Sequence, residues 1–197
     1  MRRTPTAILA AATVTVGLLG LVLAPDVAGA RLASTAKGTT MCFVSGTITA
    51  SPALTLGSGK ATTLTFSARL QGCTGTNASN IMHATLTGKS TDTSASCVAF
   101  ENAFPMLSAK VSYKTISGSM AQTKLAFSAG TLNYTAMPLS ISYPKHGGKG
   151  VATGSFATKH ASLMLNLSVP YTEWVSTCQS PTGLASMTIV STSSATL

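Results

Sequence analysis

The sequence has very few acidic residues, with four Asp and Glu side chains in 197 residues against 13 Lys and Arg. Beyond the first 30 residues the acids are Asp92, Glu101 and Glu173, which lie far apart along the chain. Glycoside hydrolysis normally uses a pair of carboxylates that flank the scissile bond. These dispersed acids give no local indication of that chemistry, and each is interpreted as a surface residue or a partner for a lysine.

Histidine is equally scarce, and no motif for a nucleophile and its base is present. The three histidines, His83, His146 and His160, show no short metal-binding spacing. No G-x-S-x-G nucleophile elbow occurs, although a Ser-His-Asp arrangement using Asp92 remains an alternative. The sequence therefore predicts a protein that is not an enzyme and has no catalytic, metal or cofactor site. An enzyme with an unrecognised site is the alternative.

The N-terminal segment has the pattern of a cleavable signal peptide. Two arginines give it a positive start, an apolar run covers 7–23, and Ala28-Gly29-Ala30 supplies the small residues that signal peptidase recognises. The run is at the lower limit of length for a membrane-spanning helix, and the C-terminus carries no apolar anchor. We therefore expect residues 1–30 to be removed, residues 31–197 to form a single all-β domain, and the mature chain to lack a transmembrane anchor.

Positive charge dominates the predicted mature chain, which has 11 basic and 3 acidic residues and a net charge of +8. Such a field attracts anionic polymers or membrane surfaces, while the alternative is that dispersed lysines only discourage self-association. The sequence has no basic run with interleaved aromatic residues, so it does not indicate nucleic-acid binding. We expect a secreted, extracellular protein that associates loosely with the cell wall through anionic envelope polymers, and any protein partner is left open.

All four cysteines lie in the predicted mature chain. An even number in an exported chain indicates disulfides, and no C-x-x-C spacing supports a metal site instead. Cys42 and Cys73 are equally distant from the turn residues Gly57-Ser58-Gly59, so they would face each other across an antiparallel hairpin. The sequence therefore predicts a Cys42–Cys73 disulfide, which leaves Cys97 to pair with Cys178.

The mature sequence alternates between apolar and polar residues with a period of two, which indicates half-buried strands. Turn-forming residues separate the alternating segments, and one short helical turn is expected within 98–107. The pattern predicts an antiparallel β-sandwich or barrel of about 8–10 strands, stapled by two disulfides. The candidate strands are 43–50, 63–70, 83–88, 108–116, 123–128, 135–143, 151–158, 162–169 and 185–191.

One short segment near the C-terminus combines aromatic and acidic side chains. Tyr171, Glu173 and Trp174, the only tryptophan, could stack on a sugar or anchor a partner. The favoured alternative is an aromatic residue that packs at the sheet edge near Cys178.

A second candidate binding segment is the glycine-rich loop 143–150, which carries Lys145, His146 and Lys149. These side chains could bind an anion. The alternative is an ordinary solvated connection between two strands.

Three segments, 45–54, 62–66 and 72–75, resemble a group of uncharacterised small secreted β-rich proteins of actinomycete-type bacteria. In that group an opening Cys is followed by a G-C-T-G segment, a middle Cys and a last Cys before the final strand, and Cys97 and Cys178 fit the later places. The resemblance implies the same fold and export and brings no catalytic residues. We expect a secreted, non-enzymatic β-rich protein associated with the envelope, with a ligand- or protein-binding module as the alternative.

Overall fold

Ten antiparallel strands form one curled sheet, which has the shape of a half-barrel. The computed structural model describes residues 39–57, 59–76 and 78–197, all of which fall within one compact unit. The predicted signal peptide, residues 1–30, lies outside the described residues. The all-β prediction is confirmed, and because the strands form one continuous sheet the architecture is closer to the barrel than to the two-layered sandwich.

The order of the strands in the sheet is β6-β7-β9-β10-β1-β2-β3-β4-β5-β8. A short 3-10 turn, Ala78–Asn80, connects the second strand to the third. The elements along the chain are β1 (Thr40–Leu54), β2 (Lys60–Gly75), β3 (Ile81–Ala95), α1 (Cys97–Asn102), β4 (Leu107–Thr115), β5 (Gly118–Phe127), β6 (Thr131–Asn133), β7 (Ser140–Tyr143), β8 (Gly150–Gly154), β9 (Ser162–Asn166), α2 (Tyr171–Gln179) and β10 (Leu184–Thr196).

The alternating sequence pattern decides which side of the sheet each side chain occupies. In β2, Leu64, Phe66 and Leu70 are fully buried on the inner face, whereas Ser67 and Arg69 are exposed on the outer face. Successive side chains of a strand point to opposite faces, so this division continues along the strand. The apolar inner face forms the hydrophobic core, and the outer face is left to hydroxyl and basic side chains.

Both helices contribute aromatic side chains to the core. Phe100 in α1 lies 4.7 Å from Phe104, ring centre to ring centre, and Phe104 lies 6.4 Å from Trp174 in α2. Ser96 caps the N-terminus of α1 by accepting a hydrogen bond from the backbone N–H of Ala99 at 3.1 Å. These contacts hold α1 and α2 against the same part of the core.

The second helix was not predicted from the sequence. Trp174 and Cys178 are four residues apart, and both are buried on the same side of α2. This spacing is typical of a helix. A helix of nine residues contains only one such pair, so its pattern is not distinguishable in the sequence from the alternation of the neighbouring strands. The short helical turn expected within 98–107 is confirmed as α1, which spans Cys97–Asn102.

Several predicted strands are wrong in their extent: the strand predicted over 162–169 ends at Asn166, and the one predicted over 83–88 spans Ile81–Ala95. The segment predicted as one strand over 135–143 is a turn followed by β7 (Ser140–Tyr143). Pro138 has no backbone N–H to donate to a neighbouring strand, which disfavours a strand at that position. The segment predicted over 151–158 ends as a strand at Gly154. Beyond that point the chain folds back, and Thr158 pairs with Ala152 in an isolated bridge.

Both predicted disulfides are confirmed. Cys42 and Cys73 lie across the β1–β2 hairpin with a Cα–Cα distance of 4.1 Å. Cys97 and Cys178 join the start of α1 to α2 across 81 residues of chain. In the chain-entropy view, a bridge that closes so long a loop stabilises the fold by about 4 kcal/mol.

The close approach of β1 and β2 at Gly46 gives a testable prediction about stability. A Cβ atom at this position would lie 2.5 Å from the Cα of Ala68 and would overlap the carbonyl oxygen of Ser67, so backbone would have to move. We expect Gly46→Ala to lower the free energy of unfolding by about 2–3 kcal/mol, measured by urea denaturation.

Gly57 is the matched control, since a Cβ there would meet no atom within 4 Å. We expect Gly57→Ala to change stability by less than about 0.5 kcal/mol. Equal stability of the two variants would contradict the packing of β1 against β2 at Gly46.

Candidate functional site

The outer face of β2 to β5 carries a cluster of positive charge. Five of the nine basic residues in the described part of the chain lie there with exposed side chains. We call this cluster the basic outer face, and it consists of Arg69, Lys89, Lys110, Lys114 and Lys124. The residues are far apart in sequence, and the strand register brings them together.

The register places two lysines directly opposite each other. Lys110 of β4 pairs with Lys124 of β5, and on its other side it pairs with Thr87 of β3. The Cβ atoms of directly opposite residues are about 5 Å apart, so like charges there repel and destabilise the sheet. Lys89, opposite Ser108, is the diagonal neighbour of Lys110, about 7–8 Å away in such an arrangement.

The strand partners of the other basic residues are uncharged or basic. Arg69 pairs with Ser45 and Thr85, and Lys114 pairs with His83. No carboxylate stands directly opposite a member of the basic outer face among these register pairs. The positive charge is therefore not neutralised by cross-strand neighbours and remains available to an external anion.

Hydroxyl groups line the space between these cations. A depression of about 550 Å³, open to solvent, lies between Lys89, Lys110 and Lys124. A second depression of about 530 Å³ extends from it to Arg69. The polar side chains that line the first are Thr65, Ser67, Thr87, Ser108 and Gln122, and the second shares Ser67 and Thr87.

The three acids of this part of the chain have different surroundings. Asp92 accepts a hydrogen bond from the backbone N–H of Ser94 at 2.9 Å near the end of β3. Glu101 of α1 accepts a hydrogen bond from the hydroxyl of Tyr171 at 2.9 Å. Glu173 lies in the first turn of α2, where a negative charge is favourable to the helix dipole. Asp92 lines a depression together with Lys89, but none of the three acids pairs across strands with a member of the basic outer face.

The residues suggested near the C-terminus separate into core and surface. Trp174 is fully buried on the same side of α2 as Cys178. This agrees with the favoured alternative of packing near Cys178, although on a helix and not at a sheet edge, and it leaves no ring face for a ligand. Glu173 is exposed, and Tyr171 is half-buried at the first residue of α2. The bond to Glu101 is the largest of the effects that raise the pKa of Tyr171 above its usual range.

The loop residues suggested from the sequence lie on the surface. Lys145 and His146 line a depression of about 400 Å³ together with Tyr134. Lys149 is exposed, and its backbone N–H donates a hydrogen bond to the hydroxyl of Ser128 at 3.0 Å. The structure therefore brings Lys145 and His146 beside an aromatic residue that the sequence analysis did not single out.

The described residues contain no candidate metal-binding cluster. Within 39–57, 59–76 and 78–197, no three His, Cys, Asp or Glu residues come together in a way that could hold a metal ion. The same residues include no helix long and apolar enough to cross a membrane.

No protein-family model matches this sequence, and no curated protein and no solved structure is significantly similar to it. The resemblance to small secreted proteins of actinomycete-type bacteria therefore stays a prediction.

The repulsion between Lys110 and Lys124 gives a prediction about stability and salt. We expect Lys110→Thr to raise the free energy of unfolding at low salt by about 0.2–1 kcal/mol, since it removes the like-charge pair and keeps a residue that favours strands. Molar salt, which shortens the screening length to about 3 Å, should abolish most of this gain.

Lys159→Thr serves as the control, because Lys159 is exposed and lies outside the named strands. Urea denaturation of both variants at low and high salt makes the comparison. A gain for Lys110→Thr that does not respond to salt would contradict an electrostatic origin.

Proposed function

We propose that the protein is an exported, non-enzymatic protein that attaches electrostatically to anionic polymers of the cell envelope through its basic outer face. The observation that carries this proposal is the opposed pair Lys110 and Lys124, with Lys89 beside it and no acid opposite any of the three. Such an arrangement is unfavourable to the isolated fold and becomes favourable when a polyanion neutralises it.

The shape of this surface suits an extended ligand better than a compact one. The two connected depressions run from Lys124 across three further strands to Arg69. The basic residues are staggered along four neighbouring strands, with Lys110 opposite Lys124, Lys89 diagonal to Lys110, and Arg69 opposite Thr85, so their charges are spread over an extended surface. The hydroxyl groups between them donate and accept hydrogen bonds without selecting one particular anion.

The proposed location outside the cytoplasm has two lines of support. The N-terminal pattern is that of a signal peptide. The four cysteines form two disulfides, and disulfides persist mainly in oxidising compartments. An envelope polymer is therefore the polyanion that the protein would meet.

The test is co-sedimentation of the purified mature protein with isolated cell walls at low and high salt. We expect binding at low salt that fades as salt rises, because exposed charges are screened within about 8 Å at physiological ionic strength. The double variant Lys110→Thr, Lys124→Thr should bind roughly 30-fold more weakly, taking about 1 kcal/mol for each basic residue near an anionic surface.

Lys60→Thr with Lys159→Thr is the charge-matched control, since it removes the same two charges from exposed positions outside the basic outer face. This control should keep most of the wild-type affinity. If it loses as much as the first double variant, net charge alone governs binding and the proposed site is wrong. Absence of binding at both salt concentrations would overturn envelope attachment. Equal affinity for duplex DNA at the same salt concentration would also overturn it.

A further inference from the structure

A second surface combines an exposed tyrosine ring, a half-buried tyrosine ring and two basic side chains. The rings of Tyr134 and Tyr171 have centres 5.6 Å apart and planes inclined by 40°. Tyr134 is 52 % exposed, and it lines the same depression as Lys145 and His146. We call these four residues the tyrosine site. They lie on the turn after β6, on α2 and on the loop after β7, and none belongs to the basic outer face.

Local hydrogen bonds fix the turn that carries Tyr134 and the hydroxyl of Tyr171. The side-chain oxygen of Asn133 accepts hydrogen bonds from the backbone N–H of Thr135 at 3.3 Å and from its hydroxyl at 2.9 Å, which fixes the turn that carries Tyr134. The hydroxyl of Tyr171 donates to Glu101 at 2.9 Å. The disulfide Cys97–Cys178 links α1, which carries Glu101, to α2, which carries Tyr171.

The loop that carries Lys145 and His146 is also anchored at both ends. The backbone N–H of Lys145 donates to the carbonyl of Ala129 at 2.8 Å, and that of Ser128 donates to the carbonyl of Lys149 at 2.9 Å. Within the loop, the N–H of Gly148 donates to the carbonyl of Lys145 at 2.7 Å. A preformed site loses less conformational entropy when it binds a ligand, so this loop is suited to binding despite its exposure.

We propose that the tyrosine site binds an acidic saccharide, with a sugar ring against the ring of Tyr134, which packs on Tyr171, and its carboxylate beside Lys145 and His146. The weakly positive C–H bonds of a pyranose ring pack on the negative face of an aromatic ring. The lining also offers hydroxyl groups for the sugar hydroxyls, from Thr131 and Ser142. A few convergent polar groups beside apolar surface are the usual composition of a small-ligand site.

A basic surface alone would give no preference for a sugar, and an aromatic surface alone would give no preference for an acidic ligand. The combination selects a ligand that has both an apolar ring face and a negative charge. This inference does not depend on the proposed attachment to the envelope, because it uses different residues and requires stacking as well as charge.

The test compares two probes by calorimetric titration, a trisaccharide of galacturonic acid and its neutral methyl ester. We expect the acid to bind more tightly than the ester, and the NMR signals of the Tyr134 ring to shift on titration. Tyr134→Ala should weaken binding of the acid on the order of tenfold, which corresponds to the loss of one strong aromatic contact.

Two further variants separate this site from the basic outer face. Lys145→Ala with His146→Ala should remove the preference for the acid over the ester while leaving the fold intact. Lys110→Thr with Lys124→Thr removes the competing anion-binding surface and should leave the titration shifts of the Tyr134 ring signals unchanged. Failure of both probes to bind, or binding to this double variant that survives the further change Tyr134→Ala, would overturn the proposal. Loss of the Tyr134 ring shifts in the double variant would also overturn it, because the basic outer face would then be the binding surface.

Discussion

Burial of one face of a single curled sheet is the constraint on which the rest of the structure depends. Leu64, Phe66 and Leu70 in β2 are fully buried, and the intervening side chains must therefore point to solvent. Shifting one strand by a single residue would expose its apolar side chains and bury its polar ones. The hydrophobic effect thus fixes the register, and the register in turn fixes which polar side chains become neighbours.

The basic outer face is a consequence of that register. Lys110 and Lys124 are brought opposite each other because the apolar residues next to them, Ala109 and Leu125, pair on the inner face. The pair is electrostatically unfavourable, but the repulsion between exposed charges is small compared with the burial of a leucine, which contributes about 1.5–3 kcal/mol. The sheet can therefore carry a surface suited to an anionic ligand without losing its fold.

The tyrosine site depends on a different device, which is the cross-linking of two short helices. A helix of six residues such as α1 is not stable alone. Its attachment through Cys97–Cys178 and the packing of Phe100 and Phe104 hold Glu101 where it can accept the hydrogen bond of Tyr171. The disulfide thus helps to position the hydrogen bond between Tyr171 and Glu101, which are 70 residues apart in sequence.

The sequence by itself determined the all-β class, because period-two alternation is a local property that any strand must show. It also determined both disulfides, since the midpoint of a hairpin follows from counting residues around Gly57-Ser58-Gly59. Only the tertiary structure decided that α2 is a helix with Trp174 inside, that Lys110 meets Lys124, and that Tyr134 lies beside Lys145 and Tyr171. These are contacts between distant segments, and they depend on the packing of the whole sheet, which no local pattern encodes.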